Sequence, residues 1–349
     1  MMHLLVLVFA SITWAQEYFP DVPEYQTLIC DFHMHTVFSD GLVWPTVRVD
    51  EAQREGIDVI ALSDHIEYQP HKDDIPTNHN RPFAIAQENA KQKNVLLIKG
   101  AEITRDTPPG HYNALFLHDI DPLETPDFFD CHNAAKDQKA FTFWNHHTWK
   151  GVERGQWTET QDKMLMDGLL DGMEVANGKV YYPLAHAWCL ERNLTMIGNS
   201  DIHHPSIDYE YTSQQHRTLT LVFAKECTEA AVKEALCSGR TVVWHNNTLM
   251  GRESYLKPLF EQCVTFAPVH YVDKKDNAYL EVSNNALVDF ELKAMGKTKP
   301  GSVTIPAKSS IILKTNIKDQ EGKSTLSYRV TNCLVAPEQG LSIKIKVAL

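Results

Sequence analysis

The sequence predicts an α/β barrel followed by a small all-β sandwich. Three observations carry that reading. Between residues 27 and 246, short apolar runs alternate with segments of helical character, the pattern of strands joined by crossover helices. From about residue 265 the chain changes to short alternating runs separated by turn residues, as in a small antiparallel sandwich. The charge divides near the same place. Residues 271–349 hold 12 Lys/Arg against 8 Asp/Glu, whereas the first 270 hold 21 against 37, so the acidity of the chain (net −12) belongs to the barrel. A hydrophobic content of 43% with 22% charged residues excludes a disordered, collagen-like or coiled-coil chain of this length, 349 residues.

The chain opens with an apolar run over residues 4–14, and Thr13-Trp14-Ala15 offers a small-residue cleavage signal before Gln16. Residues 1–15 therefore read as a signal peptide, which implies a secreted or periplasmic protein, although no Lys or Arg precedes the run. The alternative is a buried N-terminal strand. No other run approaches the ~18 apolar residues of a membrane span.

Seven strands follow, over residues 28–35, 58–65, 95–104, 111–117, 140–146, 172–177 and 195–203. Helical segments cover 46–55, 83–93, 184–192 and 229–238. This alternation predicts a parallel sheet closed, or nearly closed, into a barrel, with function at the carboxyl ends of its strands. The polar stretch 66–81 suits a lid or substrate loop, and 106–110, stiffened by Pro108-Pro109, borders the mouth; plain surface connections are the alternative. Beyond the barrel, strands are expected over 279–282, 288–292, 302–305, 310–313, 325–330 and 341–347. The expected division is thus a barrel domain over 16–264 and a sandwich over 265–349. The sandwich either packs on the barrel and covers an edge or binds a glycan, partner or cell surface. Seven scattered cysteines contain no C-x-x-C pair, so most read as buried thiols, with one disulfide left open.

Histidine is the unusual residue. There are 17, of which 13 lie between His33 and His204. Placed on the strands, they gather at termini. The first strand ends in His33-x-His35, whose side chains face the same way and can grip one ion, and Ser39-Asp40-Gly41 follows as a turn. Asp64-His65 ends the second strand, Glu102 lies near the end of the third, His111 opens the fourth, Asn145-His146-His147 ends the fifth and Asp201-x-His203 ends the last. Any one of these alone is weak. Together they suit borderline divalent ions such as Zn, Mn or Fe rather than an all-oxygen Ca site, and point to a hydrolase. Asp64 is placed either to fix a neighbouring imidazole or to cap its loop. Trp144, Trp149 and Trp157 read as wall and core.

The order and spacing of His33-x-His35, Ser39-Asp40-Gly41, Ser63-Asp64-His65, Glu102, His111, Asn145-His146 and Ser200-Asp201-x-His203 resemble the PHP (polymerase and histidinol phosphatase) family of metal-dependent phosphoesterases. The match spans roughly residues 28–245. The resemblance implies a distorted (β/α)7 barrel with up to three divalent ions. One ion would take His33, His35, Glu102 and Asp201, a second Asp40, His65 and His203, and a third Glu102, His111 and His146. A metal-bound water, held at His33, His35, Asp40, His65, Glu102, Asp201 and His203 through their ions, would be the nucleophile. The family has Pro where this chain has His147, and an inward His147 would reassign the third site. Three residues are candidates for substrate contact: Arg105 past the third strand, Asn177 at the end of the sixth, and Arg217.

The expected function is a secreted metal-dependent phosphoesterase acting on small phosphomonoesters. A phosphodiesterase or exonuclease on nucleotides is the alternative within the class, although a barrel this acidic disfavours long nucleic acid. A non-catalytic metal-binding module is the alternative outside it.

Overall fold

The structure, a computed structural model, describes residues 18–209, 216–316 and 324–347. The signal-peptide reading at residues 1–15 lies outside the described residues. The seven expected barrel strands form as β1 (Gln26–Asp31), β2 (Val59–Leu62), β3 (Leu96–Ile103), β4 (Tyr112–Leu115), β5 (Phe141–Trp144), β6 (Gly172–Asn177) and β7 (Thr195–Asn199). They are hydrogen-bonded in that order, with β7 on β6. The ring closes at its mouth. Met34 bridges Ile202, His35 N donates to Ile202 O (3.1 Å), and Asp201 N donates to His33 O (2.9 Å).

The sheet is not wholly parallel, as the alternation implied. β4 runs antiparallel to both β3 and β5. The reason is length: residues 104–111 are too few for a crossover helix, and a parallel connection needs a dozen or more. The reversal brings the start of β4, and hence His111, to the rim where the other strands end.

Strand burial explains the choice of residues. All four residues of β2 (Val-Ile-Ala-Leu) are buried, as expected for a strand covered on both faces. Alternate residues divide between two clusters. Leu28, Cys30 and Phe32 join Val59, Ala61, Ile98, Phe143 and Ile197, while Ile29, Ile60 and Leu62 share a cluster with Val49, Ala52, Ala86 and Ala90 of the outer helices. Those helices are α1 (Pro45–Arg54) and α2 (Arg81–Lys93). α1 begins on Pro45, which has no N–H to leave unpaired, and α2 ends at Asn94 in the left-handed conformation. α3 (Phe128–Asp137) is capped by Asp127, and α4 (Glu159–Met166) by a Thr158–Gln161 capping box. α5 (Pro183–Glu191) and α6 (Glu229–Cys237) fall where helices were expected; α7 (Glu253–Cys263) does not.

On the far side of β1 the sheet continues antiparallel through β8 (Leu219–Ala224), β9 (Thr241–His245) and β10 (Thr248–Gly251). The C-terminal strands are β11 (Val264–Phe266), β12 (Asn277–Asn284), β13 (Phe290–Ala294), β14 (Ser302–Ile305), β15 (Ser309–Asn316), β16 (Ser324–Ala336) and β17 (Gln339–Val347). β11, β12 and β15 form one sheet together with a two-residue strand, Tyr271–Val272, on β12, and β14, β13, β16 and β17 form the other. β12 alternates inward Ala278, Leu280 and Val282 with outward residues. The second sheet is continuous with the barrel, because β16 pairs in parallel with β10 (Cys333 with Leu249, Leu334 with Met250). All seven cysteines are free thiols, five of them buried, so the disulfide left open does not form.

Candidate metal centre

The barrel mouth is built by the residues that leave each strand. Past Asp31, His33 and His35 keep strand parity and turn the same way, and both are fully buried. Gly41 lets the Ser39–Asp40 turn fold back on them, since a Cβ there would lie 2.5 Å from the His35 carbonyl. Asp201 stands in the left-handed region (φ +51°), unusual for a residue other than glycine.

Glu102 is the hub. Its Oε2 lies 2.9 Å from His65 Nδ1, 3.2 Å from His33 Nε2 and 3.3 Å from His35 Nε2. Its Oε1 lies 2.9 Å from His111 Nδ1 and 3.4 Å from His146 Nε2. Asp201 Oδ1 lies 3.1 Å from His35 Nε2 and 3.2 Å from His33 Nε2. Asp40 Oδ1 faces three imidazoles, at 3.2 Å (His203), 3.5 Å (His65) and 3.6 Å (His35). All nine ligand-type side chains singled out from the sequence therefore converge on one centre.

Potential ligand atoms lying within 4.8 Å of one another form four sets: His33–His35–Asp201, His35–Asp40–His65–His203, His65–Glu102–His111 and His33–Glu102–His146. The first matches the expected first grouping without Glu102, whose Oε2 nevertheless lies 3.2 and 3.3 Å from His33 and His35 Nε2, and the second contains the expected second grouping with His35 added. The expected third grouping is divided. His111 and His146 both flank Glu102 Oε1, but His111 groups with His65 and His146 with His33.

The donor set fits divalent metal ions. Imidazole mixed with carboxylate is the chemistry of borderline ions. Nε2 of His33 and of His35 lie 3.1 Å apart, which demands a proton or cation between them. Asp40 Oδ1 is buried and makes no well-aligned hydrogen bond among the described residues, although three rings point at it.

The cluster's charges are strongly coupled. Burial opposes protonation of His33, but Asp201, Glu102 and Glu174 outweigh it and raise its pKa well above the usual range. Burial likewise opposes charge on His65, yet Glu102 and Asp40 lift its pKa to about 10. Burial, with His65 and His203 beside it, holds His35 down to about 3. Burial alone would raise Glu102 and Asp201, but the surrounding imidazoles hold both well below the carboxylate range.

A second ring of residues holds this set in place, and the sequence did not single most of it out. Glu174, fully buried on β6, lies 2.9 Å from His33 Nδ1 and accepts from Asn199 Nδ2 (2.9 Å), His146 N (2.8 Å) and Asn177 Nδ2 (2.8 Å). Asp64 does not touch an imidazole. It accepts from Thr36 N, Thr36 Oγ1 and Ser39 Oγ, each at 2.7 Å, and Ser39 Oγ lies 3.3 Å from His35 Nδ1. The Arg48 guanidinium donates to four backbone carbonyls: His35 (2.9 Å), Ile202 (3.0 Å), His203 (2.8 Å) and His204 (2.9 Å).

The substrate candidates separate. Asn177 lines the cavity above the centre and is anchored on Glu174. Arg105 also lines it, but its guanidinium is committed to Glu67 and to the carbonyls of Thr104 and Thr125. Arg217 is a correction. It is 4% exposed and pairs with Asp31 (3.2 Å) and Glu55 (2.8 Å), because a buried guanidinium requires carboxylates; it does not reach the mouth. His147 turns away from the centre, its Nδ1 2.6 Å from Gly155 O and its ring against Trp144, Tyr182 and Trp188, so the inward side chain of this pair is His146. Trp144 and Trp157 are wall and core as expected, but Trp149 is half exposed in the mouth. The cavity has a volume of about 580 Å³.

A family profile described as an Ig-like domain matches residues 264–346. The structure of a two-domain protein from Bacteroides vulgatus, described as containing a predicted PHP-like metal-dependent phosphoesterase, is 43% identical. It aligns over 94% of this chain and 97% of its own, with a TM-score of 0.90. Two more distant folds are similar. One is a metal-dependent phosphoesterase proposed for Bifidobacterium adolescentis (17% identity, 60% and 96% coverage, TM-score 0.41). The other is a lesion-specific endonuclease from Pyrococcus furiosus (12%, 72% and 64%, 0.42). Comparison with curated proteins found no match. The resemblance of the motifs, the convergence of their side chains and the near full-length match at 43% identity lead to one conclusion: the chain belongs to the PHP-like metal-dependent phosphoesterases, with an Ig-like domain at its C-terminal end.

Proposed function

We propose that this phosphoesterase hydrolyses small phosphomonoesters, using up to three divalent ions of the Zn, Mn or Fe type held by His33, His35, Asp40, His65, Glu102, His111, His146, Asp201 and His203. The observation that carries the reading is the convergence of these nine side chains beside one cavity. Bound there, divalent ions supply Lewis-acid activation of water and of the phosphoryl group.

The chain's own residues prepare that chemistry. Glu102 offers both oxygens to different imidazole groups, so it is the natural bridge. Glu174 accepts at His33 Nδ1 and thereby directs His33 Nε2 inward, the arrangement that fixes a ligand's tautomer. Asp64 orients His35 through Ser39. Burial of the floor excludes water from all but the cavity side. A mouth of this size admits a small ester, and the acidity of the barrel disfavours a long polyanion. No helix among the described residues is long and apolar enough to cross a membrane.

The test is metal quantification of freshly purified protein, followed by phosphate release from an aryl monoester and from a bis-aryl diester. Bound transition metal with preferential monoester turnover supports the reading. Preferential diester turnover moves the enzyme to the phosphodiesterase alternative. Absence of metal and of rescue by added Mn or Zn makes it a non-catalytic module. We also propose export, supported by the apolar run over residues 4–14. A mature chain from the native host that retains residues 1–15 would refute it.

A further inference from the structure

We infer that the substrate's leaving group carries a planar aromatic ring close to the phosphate, held between Trp149 and Tyr68; the inference rests on the phosphoesterase reading of the same site. Exposed large apolar side chains cluster after the candidate ligands: Leu42 and Trp44 follow Asp40, Tyr68 follows His65, Trp149 follows His146 and Ile207 follows His203. Exposing such side chains beside a charged centre costs solvation unless a ligand covers them. Of these five, Trp149 and Tyr68 line the cavity itself, at 50% and 52% exposure.

Both rings are seated directly on the centre. Tyr68 packs edge-on against His65, with centroids 5.9 Å apart. Trp149 packs edge-on against His111 (5.1 Å) and His146 (6.1 Å). A group contacting either ring is therefore about one ring-width from the ligand nitrogens, so the occupant must be joined to phosphorus through a few bonds.

Trp149 is also held in advance. Its backbone N–H donates to His146 O (3.0 Å), and Lys150 Nζ lies over its ring at 4.6 Å. Lys150 is in turn fixed by Asp106 (2.6 Å), which also holds Arg154 (3.1 Å). Asp106 thus joins the loop after β3 to the loop after β5 that carries Trp149. A half-exposed indole and a half-exposed phenol lining the same cavity favour a flat ring over a flexible chain. The cations near the mouth are already paired, Lys150 with Asp106 and Arg105 with Glu67, so the mouth offers little to a charged leaving group.

The experiment compares kcat/KM of the metal-loaded full-length protein on phenyl, hexyl and ethyl phosphate, for the wild type, Trp149→Ala, Tyr68→Ala and Trp149→Phe. Binding of phenylphosphonate against ethylphosphonate is measured in parallel. We expect wild type to prefer phenyl to ethyl, each alanine variant to cut that preference about tenfold, and Trp149→Phe to retain most of it. The phosphonate preference should fall in step. A wild type without phenyl preference, alanine variants that leave the ratio unchanged, or a larger loss on hexyl than on phenyl phosphate would each overturn the inference. If no ester is turned over, the phosphoesterase reading fails, and the phosphonate preference still decides the ring.

Discussion

Replacing Arg48 is the sharpest probe of how the centre is held. Its side chain is fully buried, and four hydrogen bonds, to the carbonyls of His35, Ile202, His203 and His204, tie α1 to both ends of the closing seam, while a fifth goes to Glu51 (2.7 Å) within α1. Arg48→Met leaves Glu51, itself only 2% exposed, without its cation. Breaking a buried pair by removing one partner costs about 3–5 kcal/mol. The orphaned carbonyls add to this only in part, because the loops can shift to meet water. We expect about 4 kcal/mol of destabilisation in a denaturant titration of the metal-free protein. Arg48→Lys keeps the charge but loses the planar fork, and should cost roughly half as much. The same carbonyls belong to segments carrying His35, Asp201 and His203, so metal affinity measured against a competing chelator should fall about 10- to 100-fold in Arg48→Lys. If Arg48→Met loses less than about 1 kcal/mol and Arg48→Lys binds metal like the wild type, the guanidinium is not what fixes these loops.

Other outcomes follow from the same geometry. Glu102→Ala should retain less metal after purification than His65→Ala, because Glu102 touches five imidazoles; equal retention in elemental analysis would remove its bridging role. His146→Ala should reduce phosphate release by at least tenfold, whereas His147→Ala should chiefly lower thermal stability, as it empties a space between Trp144, Tyr182 and Trp188. Metal affinity should rise with pH. Carboxylates raise the pKa of His33 against burial, and of His65 to about 10, so the metal-free protein holds protons that binding must displace. Calorimetry in buffers of different ionisation enthalpy should show net proton release at pH 7, and proton uptake would contradict this. Under native conditions a thiol reagent should modify only the exposed Cys227 and Cys237 rapidly, with all seven cysteines reacting on unfolding.

The ligand-type residues were legible because the chemistry sits where a barrel strand ends, and strand parity alone aligns His33 with His35. What was not legible depends on contacts between distant parts of the chain. Arg48 reads as the polar face of an amphipathic helix; only the packing of α1 against residues 202–204 shows it to be buried. Glu174 lies inside an apolar run, and an acidic residue in a strand buried throughout was the signal available for it. Arg217 was misread because strand order did not reveal that Asp31 and Glu55 lie behind it. The direction of β4 was missed although the brevity of residues 104–111 implied it, and it accounts for His111 standing at the start of its strand. Among the helices that were not expected, α4 spans only eight residues and α7 carries Pro258 in its interior.

The pairing of β10 with β16 also bears on how the protein is made. Leu249 and Met250 find their partners only at residues 333 and 334. At typical synthesis rates that interval lasts roughly 4–17 s, during which the nascent barrel ends in a bare, apolar strand. An expression clone cut between the two domains would make that transient condition permanent, and its product should self-associate through the uncovered strand.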